Sequence, residues 1–390
     1  MRRPPDQGMA GRRRGGVTIG ESTSRPRQPF RPFFVLAALD AVAGILPWLG
    51  SGSDLLPEVM SSTAWHRDEL IFGMVPAVMA GFLLTALPRW TGASLVSGAL
   101  QNGLLVLWLA GRMAHLWAPS LSQPLSAGFI LCLAATLAVR IASARRMREV
   151  KVVTLLVLLA SGAVLVDTRS SLLPADAGHR IALAALLGLV AVIGGRITPA
   201  LTHSFLSLQG KEARPGLPRS VEIAAALALA AALGLWCLQR GPGGAVCLLV
   251  AAALQLARLV SWRPWRVARH PGLIALHLAY GWLPIGLCLA AWRGAGLPDV
   301  SEAMVVHAWS AGTIGLMCLA VMQSMIRRQT RRAFLNPRGA NAALACAALC
   351  APFRLLSDIG GALWLPLAAT GWIAAFGIFL TAFRRHLLWR

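Results

Sequence analysis

The chain has 390 residues, of which 56% are hydrophobic and 13% charged, and its mean hydropathy is +0.63. A soluble protein carries about twice that charged share, so a soluble globular domain is excluded and an all-α, polytopic transmembrane helical bundle is expected. The net charge of +22 would suggest a nucleic-acid partner on a soluble chain, but here the basic residues lie between apolar runs, without interleaved aromatic residues for stacking on bases. The seven cysteines all fall in apolar runs without a Cys-x-x-Cys spacing, as packing residues do.

Residues 1–30 are rich in Arg, Pro, Gly and Ser and read as a disordered basic cytoplasmic tail. Neither Arg2-Arg3 nor Arg12-Arg13-Arg14 is followed by the apolar stretch of an export signal. Residues 31–390 form the membrane domain, with about 12 spans over 32–50, 69–88, 99–117, 124–140, 151–167, 180–199, 221–239, 243–261, 271–292, 302–326, 339–356 and 361–383. Alternate loops carry the positive charge. With the N-terminus inside, 30 of the 37 Lys and Arg residues fall on the cytoplasmic side and 7 on the other, so both termini are expected in the cytoplasm of a bacterial inner membrane. No internal repeat is apparent in the sequence.

Trp65-His66-Arg67-Asp68-Glu69 places a histidine and three charges at the extracytoplasmic mouth of the second span. Such a cluster is costly there unless it faces protein, water or a ligand. His66 and Glu69 are three positions apart and hence close on one helix face. Glu69 can orient the imidazole, carry protons, or pair with Arg67 or Arg112. His277 and His307 also lie in spans that pack among others. Each of these three histidines either ligates a metal or hydrogen-bonds a neighbouring helix. His115 and His270 fit an interfacial position, and His203 and His386 a solvated one. Arg196, in Gly194-Gly195-Arg196-Ile197-Thr198-Pro199, ends the sixth span at a glycine pair and a proline. It either binds an anionic group such as a haem propionate or anchors the helix on the positive side. Asp40, in the middle of the first span, needs a partner that the sequence does not identify. There is no Cys-x-x-Cys-His, Walker motif or nucleophile elbow, which argues against covalent haem, ATP hydrolysis and acyl transfer.

Several of these stretches together resemble the NnrS family of haem- and copper-containing membrane proteins. They are Arg31-Pro32-Phe33-Phe34, Trp65-His66 with Glu69-Leu70-Ile71-Phe72-Gly73, Ala80-Gly81-Phe82, Gly111-Arg112, Gly195-Arg196-Ile197-Thr198-Pro199, Arg269-His270-Pro271, Leu276-His277 and Val306-His307. The resemblance implies a twelve-span inner-membrane protein of nitric oxide metabolism and nitrosative-stress resistance, binding haem and/or copper rather than established as a catalyst, with nitric oxide or a nitrosyl species as partner. Carried over by position, it makes His66, His277 and His307 the metal ligands, Arg196 a further cofactor contact, and Asp68 and Glu69 a supporting shell or proton path. Two departures stand out. Asp68 occupies a position where the family usually has a second histidine, and Arg328-Gln329-Thr330-Arg331-Arg332 replaces a histidine-containing run. A relative that has lost its metal site and a proton-coupled secondary transporter, the latter suited by Asp40, Glu69 and prolines within the spans, are the alternatives.

Overall fold

The computed structural model describes residues 28–49, 60, 62–166, 174, 176–211, 216–239, 241–330, 334 and 337–388. The tail expected over 1–30 lies almost wholly outside them. Helices fill the described residues: α1 Phe30–Ala43, α2 Thr63–Thr91, α3 Gly98–Trp117, α4 Pro119–Ser143, α5 Val150–Leu165, α6 Ala177–Leu208, α7 Arg219–Cys237, α8 Pro242–Ser261, α9 Pro271–Gly294, α10 Glu302–Gln329, α11 Arg338–Ile359 and α12 Trp364–Leu387. Among the described residues, nine of these are long and apolar enough to cross a membrane. The other three are α1, α3 and α5, of which α1 and α5 have 14 and 16 residues, fewer than the roughly 20 that a perpendicular crossing takes.

The first helix is shorter than the expected span because Pro47 follows it. Proline has no N–H to give the carbonyl four residues back, that of Ala43. Trp65 Nε1 donates to Ala43 O instead, at 3.3 Å, and Trp372 Nε1 donates to Ala41 O at 2.9 Å. Side chains from α2 and α12 thus satisfy the carbonyls that the end of α1 leaves open. At its other end, Phe30 N donates to Thr85 Oγ1 at 3.1 Å. Gly81 lets α1 and α2 approach: a Cβ there would lie 2.7 Å from the Phe34 ring.

The packing shows a repeat that the sequence does not display. The four-helix units α1–α4, α5–α8 and α9–α12 use the same neighbours: first on second, third on fourth, and fourth on the first of the next unit, with α12 closing on α1. The second member of each unit, α2, α6 or α10, faces the centre. In α2 and α10, 89% and 83% of the apolar stretch is buried, against 28% in α7, α11 and α12, so the former are interior helices and the latter a lipid-facing rim.

All three central helices widen into a π-helical stretch: Glu69–Met74, Val190–Gly194 and Ala308–Gly315. In α2 the Val75 N–H reaches back five residues to Leu70 O, just ahead of Pro76, which cannot donate. In α6 the Gly194-Gly195 pair sits at the widening, and the helix then continues to Leu208 through Pro199. The helix end expected near 199 is therefore a local widening inside a longer helix.

Candidate functional site

The N-terminal ends of α2, α6 and α10 meet, joined pairwise. Asp68 accepts from His179 Nε2 at 2.7 Å, Arg180 pairs with Glu302 at 2.8 Å, and His66 and His307 stack with ring centroids 6.2 Å apart and planes 14° from parallel. The three helices are therefore parallel, with a histidine end here and an arginine end where Arg89, Arg196 and Arg328 gather.

His66 and His307 share a chamber of about 320 Å³ between α2, α6, α10, α11 and α12. Its walls are mainly apolar, among them Leu70, Met74, Leu183 and Trp372, and Arg354 supplies a guanidinium. Each imidazole is oriented by a backbone carbonyl: His66 Nδ1 donates to Gly44 O at 3.1 Å and His307 Nδ1 to Ala303 O at 2.8 Å. A carbonyl only accepts, so both rings carry their proton on Nδ1, and Nε2 is the basic nitrogen.

His277 does not line this chamber. Its Nδ1 donates to Leu273 O at 2.9 Å and its Nε2 lies 3.4 Å from Thr202 Oγ1, so both ring nitrogens have partners within the protein. Trp309, two residues beyond His307, donates to Leu283 O. His277 lies six residues from Leu283 toward the arginine end, roughly 9 Å of helix rise. Arg196 is also remote from the chamber. It makes a two-pronged pair with Glu149 at 2.9 and 3.0 Å beside a cavity of about 400 Å³ at the arginine end.

Asp68 and Glu69 turn away from the chamber into a buried polar layer between α1, α2, α3, α4 and α6. Besides His179, Asp68 accepts from Gln123 Nε2 at 2.9 Å. Glu69 accepts from His115 Nδ1 at 2.6 Å and lies 3.0 Å from Arg112 Nη1, while Arg112 Nη2 donates to Ser126 Oγ at 2.5 Å. Trp65 covers the His115 ring, with centroids 4.7 Å apart. Asp40 is buried beside this layer, and its Oδ2 has no hydrogen-bond donor among the described residues. Of the two arginines the sequence offers Glu69, the structure selects Arg112. His115, expected at an interface, and His179 are both buried members of the layer. Nothing local in the sequence marks His179 and Gln123, which meet Asp68 across 111 and 55 positions; Arg354 pairs with Asp358 four residues on, and only the fold brings it to the chamber. A second buried polar group joins α7, α8 and α9 near the arginine end: Arg258 pairs with Glu222 at 2.9 Å and contacts Tyr280, whose hydroxyl donates to Gln255 Oε1 at 2.6 Å.

Fold and site define a polytopic α-helical membrane protein whose interior holds an apolar chamber with two carbonyl-oriented imidazoles. Residues 26–390 match the NnrS protein family, nearly the whole chain, and the protein belongs to that family. Comparison with curated proteins gives no match.

Proposed function

We propose that this protein binds haem or copper at His66 and His307, in the extracytoplasmic half of a bacterial inner membrane, and serves nitric oxide metabolism or resistance to nitrosative stress. The observation that carries the reading is the paired imidazoles facing one apolar chamber. The ring centroids lie 6.2 Å apart, close enough for both side chains to serve one group bound in the chamber. Among the described residues no group of three or more His, Cys, Asp or Glu could hold a metal ion. That donor set disfavours a four-coordinate structural zinc. It suits copper(I), which accepts two imidazoles, and haem iron, whose porphyrin brings four nitrogens of its own.

The protein's residues do the rest. The Gly44 and Ala303 carbonyls fix the tautomers that direct Nε2 outward. Leu70, Met74, Leu183 and Trp372 keep the chamber dry, and Arg354 offers a cation to an anionic edge. When bound, copper held by the two imidazoles would leave room in its coordination for a diatomic ligand such as nitric oxide, and haem would do so only where one of the two imidazoles stays off the iron. His277 and Arg196 stand outside the ligand set for the geometric reasons above. Asp68, Glu69 and Arg112 hold the second helix in place from behind. The family's association with haem and copper favours the same chemistry.

The test is the optical spectrum and metal content of protein purified after haem- and copper-replete expression. A Soret band reports haem, and stoichiometric copper without one reports copper. His66→Ala and His307→Ala should each abolish the signal, and His277→Ala should leave it in place. Colourless, metal-free protein, or loss of signal only in His277→Ala, overturns the assignment.

A further inference from the structure

Three cavities lie one after another between α2, α6 and α10: the chamber at the histidine end, a neck of about 70 Å³, and the vestibule of about 400 Å³ at the arginine end. Adjacent cavities share a ring of side chains, one from each central helix. Val75, Leu186 and Ile314 line both chamber and neck, and Phe82, Ile193 and Val321 line both neck and vestibule. On each helix the second ring comes seven residues after the first, two turns or roughly 10.5 Å along the axis. The threefold repeat of the fold thus reaches into its centre as two matched constrictions.

We infer that these cavities form one passage for small uncharged apolar molecules, of the size and polarity of diatomic gases, running between the central helices from chamber to vestibule. No lining residue of the neck bears a charge, hydroxyl or amide. An ion there would lose its hydration without replacement. Water needs two to four polar partners to occupy a cavity, and larger apolar cavities of about 150 Å³ stay dry and take up xenon or benzene. A polar solute carried by a transporter needs polar groups near mid-membrane, and the neck offers it none. An apolar diatomic meets no such penalty, and the neck exceeds the roughly 30 Å³ that one water occupies in the liquid. The helices that supply the rings also carry the π-helical stretches, and the wider turns help to keep three close-packed helices from closing on their axis. The passage does not depend on a metal in the chamber.

Xenon is the probe. The full-length protein in lipid nanodiscs, its structure determined under xenon pressure, should hold xenon in chamber, neck and vestibule. Xenon-129 exchange spectroscopy should link the neck signal to both of the others. Ile314→Trp, which fills the first ring, should remove the chamber–neck exchange and keep the neck–vestibule exchange; Ile193→Trp, which fills the second, should do the reverse. Should either tryptophan variant fail to fold, Leu186→Ala provides the complementary measurement, because opening the first ring should raise xenon occupancy of the neck. A neck that takes no xenon, a neck filled by ordered water, or a neck signal exchanging with one neighbour alone in the unmodified protein overturns the passage.

Discussion

Glu69 is 1% exposed, and its charge is balanced at one oxygen by Arg112 and His115. Removing one partner of a buried ion pair leaves the other uncompensated, at about 3–5 kcal/mol, whereas replacing both together is far milder. Arg112→Ala should therefore lower unfolding free energy in detergent by about that amount, and the Glu69→Gln, Arg112→Met double variant should recover most of the loss. Equal losses in the single and double variants would show that packing, and not charge, dominates. Asp68 belongs to the same layer. Its two acceptor bonds to His179 and Gln123 each contribute about 1 kcal/mol, and more where charge assists. Asp68→Ala should destabilise the fold yet leave any metal signal from the chamber unchanged, because its carboxylate faces away from His66. Loss of that signal at unchanged stability would instead make Asp68 a ligand. Sequence spacing identifies the charged cluster and reduces Glu69's partner to two arginines. It does not find the Asp68–His179 pair, because 111 positions separate the two residues and the contact exists only once α2 and α6 stand side by side.

Each central helix combines a π-helical stretch with residues that make the widening tolerable. In α2 the Gly73 carbonyl takes a hydrogen bond from Trp108 Nε1 at 3.0 Å. Gly73 itself has no room for a side chain: a Cβ there would lie 2.3 Å from Asp40 Oδ2 and 2.8 Å from Arg112 Nη1. Gly73→Ala should consequently push aside the Asp40 and Arg112 side chains that close on this turn, costing about 2 kcal/mol or more by overpacking. Gly103, on α3, is the control, since a Cβ there meets nothing within 4 Å. Alanine at Gly103 should stabilise the protein by roughly 0.5–1 kcal/mol through helix propensity. Melting temperatures measured in one detergent decide both, and a Gly73→Ala variant as stable as the parent would remove the packing argument. The long apolar runs made the helices legible, but the irregularities inside them were not. Gly194-Gly195 and Pro199 look like a helix end in the sequence, yet α6 absorbs them because tertiary packing holds the turns that propensity alone would open.

Across the whole molecule, the charge pattern and the fold address the same question from different sides. The pairings at the histidine end and the shared arginine-end cavity make α2, α6 and α10 parallel. That is what strict alternation of crossings requires of helices four apart. The fourfold spacing was invisible as a sequence repeat because the units share packing positions and not residue identities: Val75, Leu186 and Ile314 have equivalent places with three different side chains. Which end faces the cytoplasm follows from a separate force, the bias of Lys and Arg toward the untranslocated side. On that bias, the division of 30 against 7 leads us to expect the arginine end and both termini in the cytoplasm. Green fluorescent protein, which matures inside, should fluoresce when fused after Arg390. Alkaline phosphatase, active only after export, should be active when inserted between α9 and α10 at Gly296, next to the histidine end. The opposite pair of results would turn the molecule over, placing the His66–His307 chamber on the cytoplasmic side. If only one of the two reporters is active, both sites lie on the same side and an even number of crossings separates them, so that α10, α11 and α12 do not all span the bilayer.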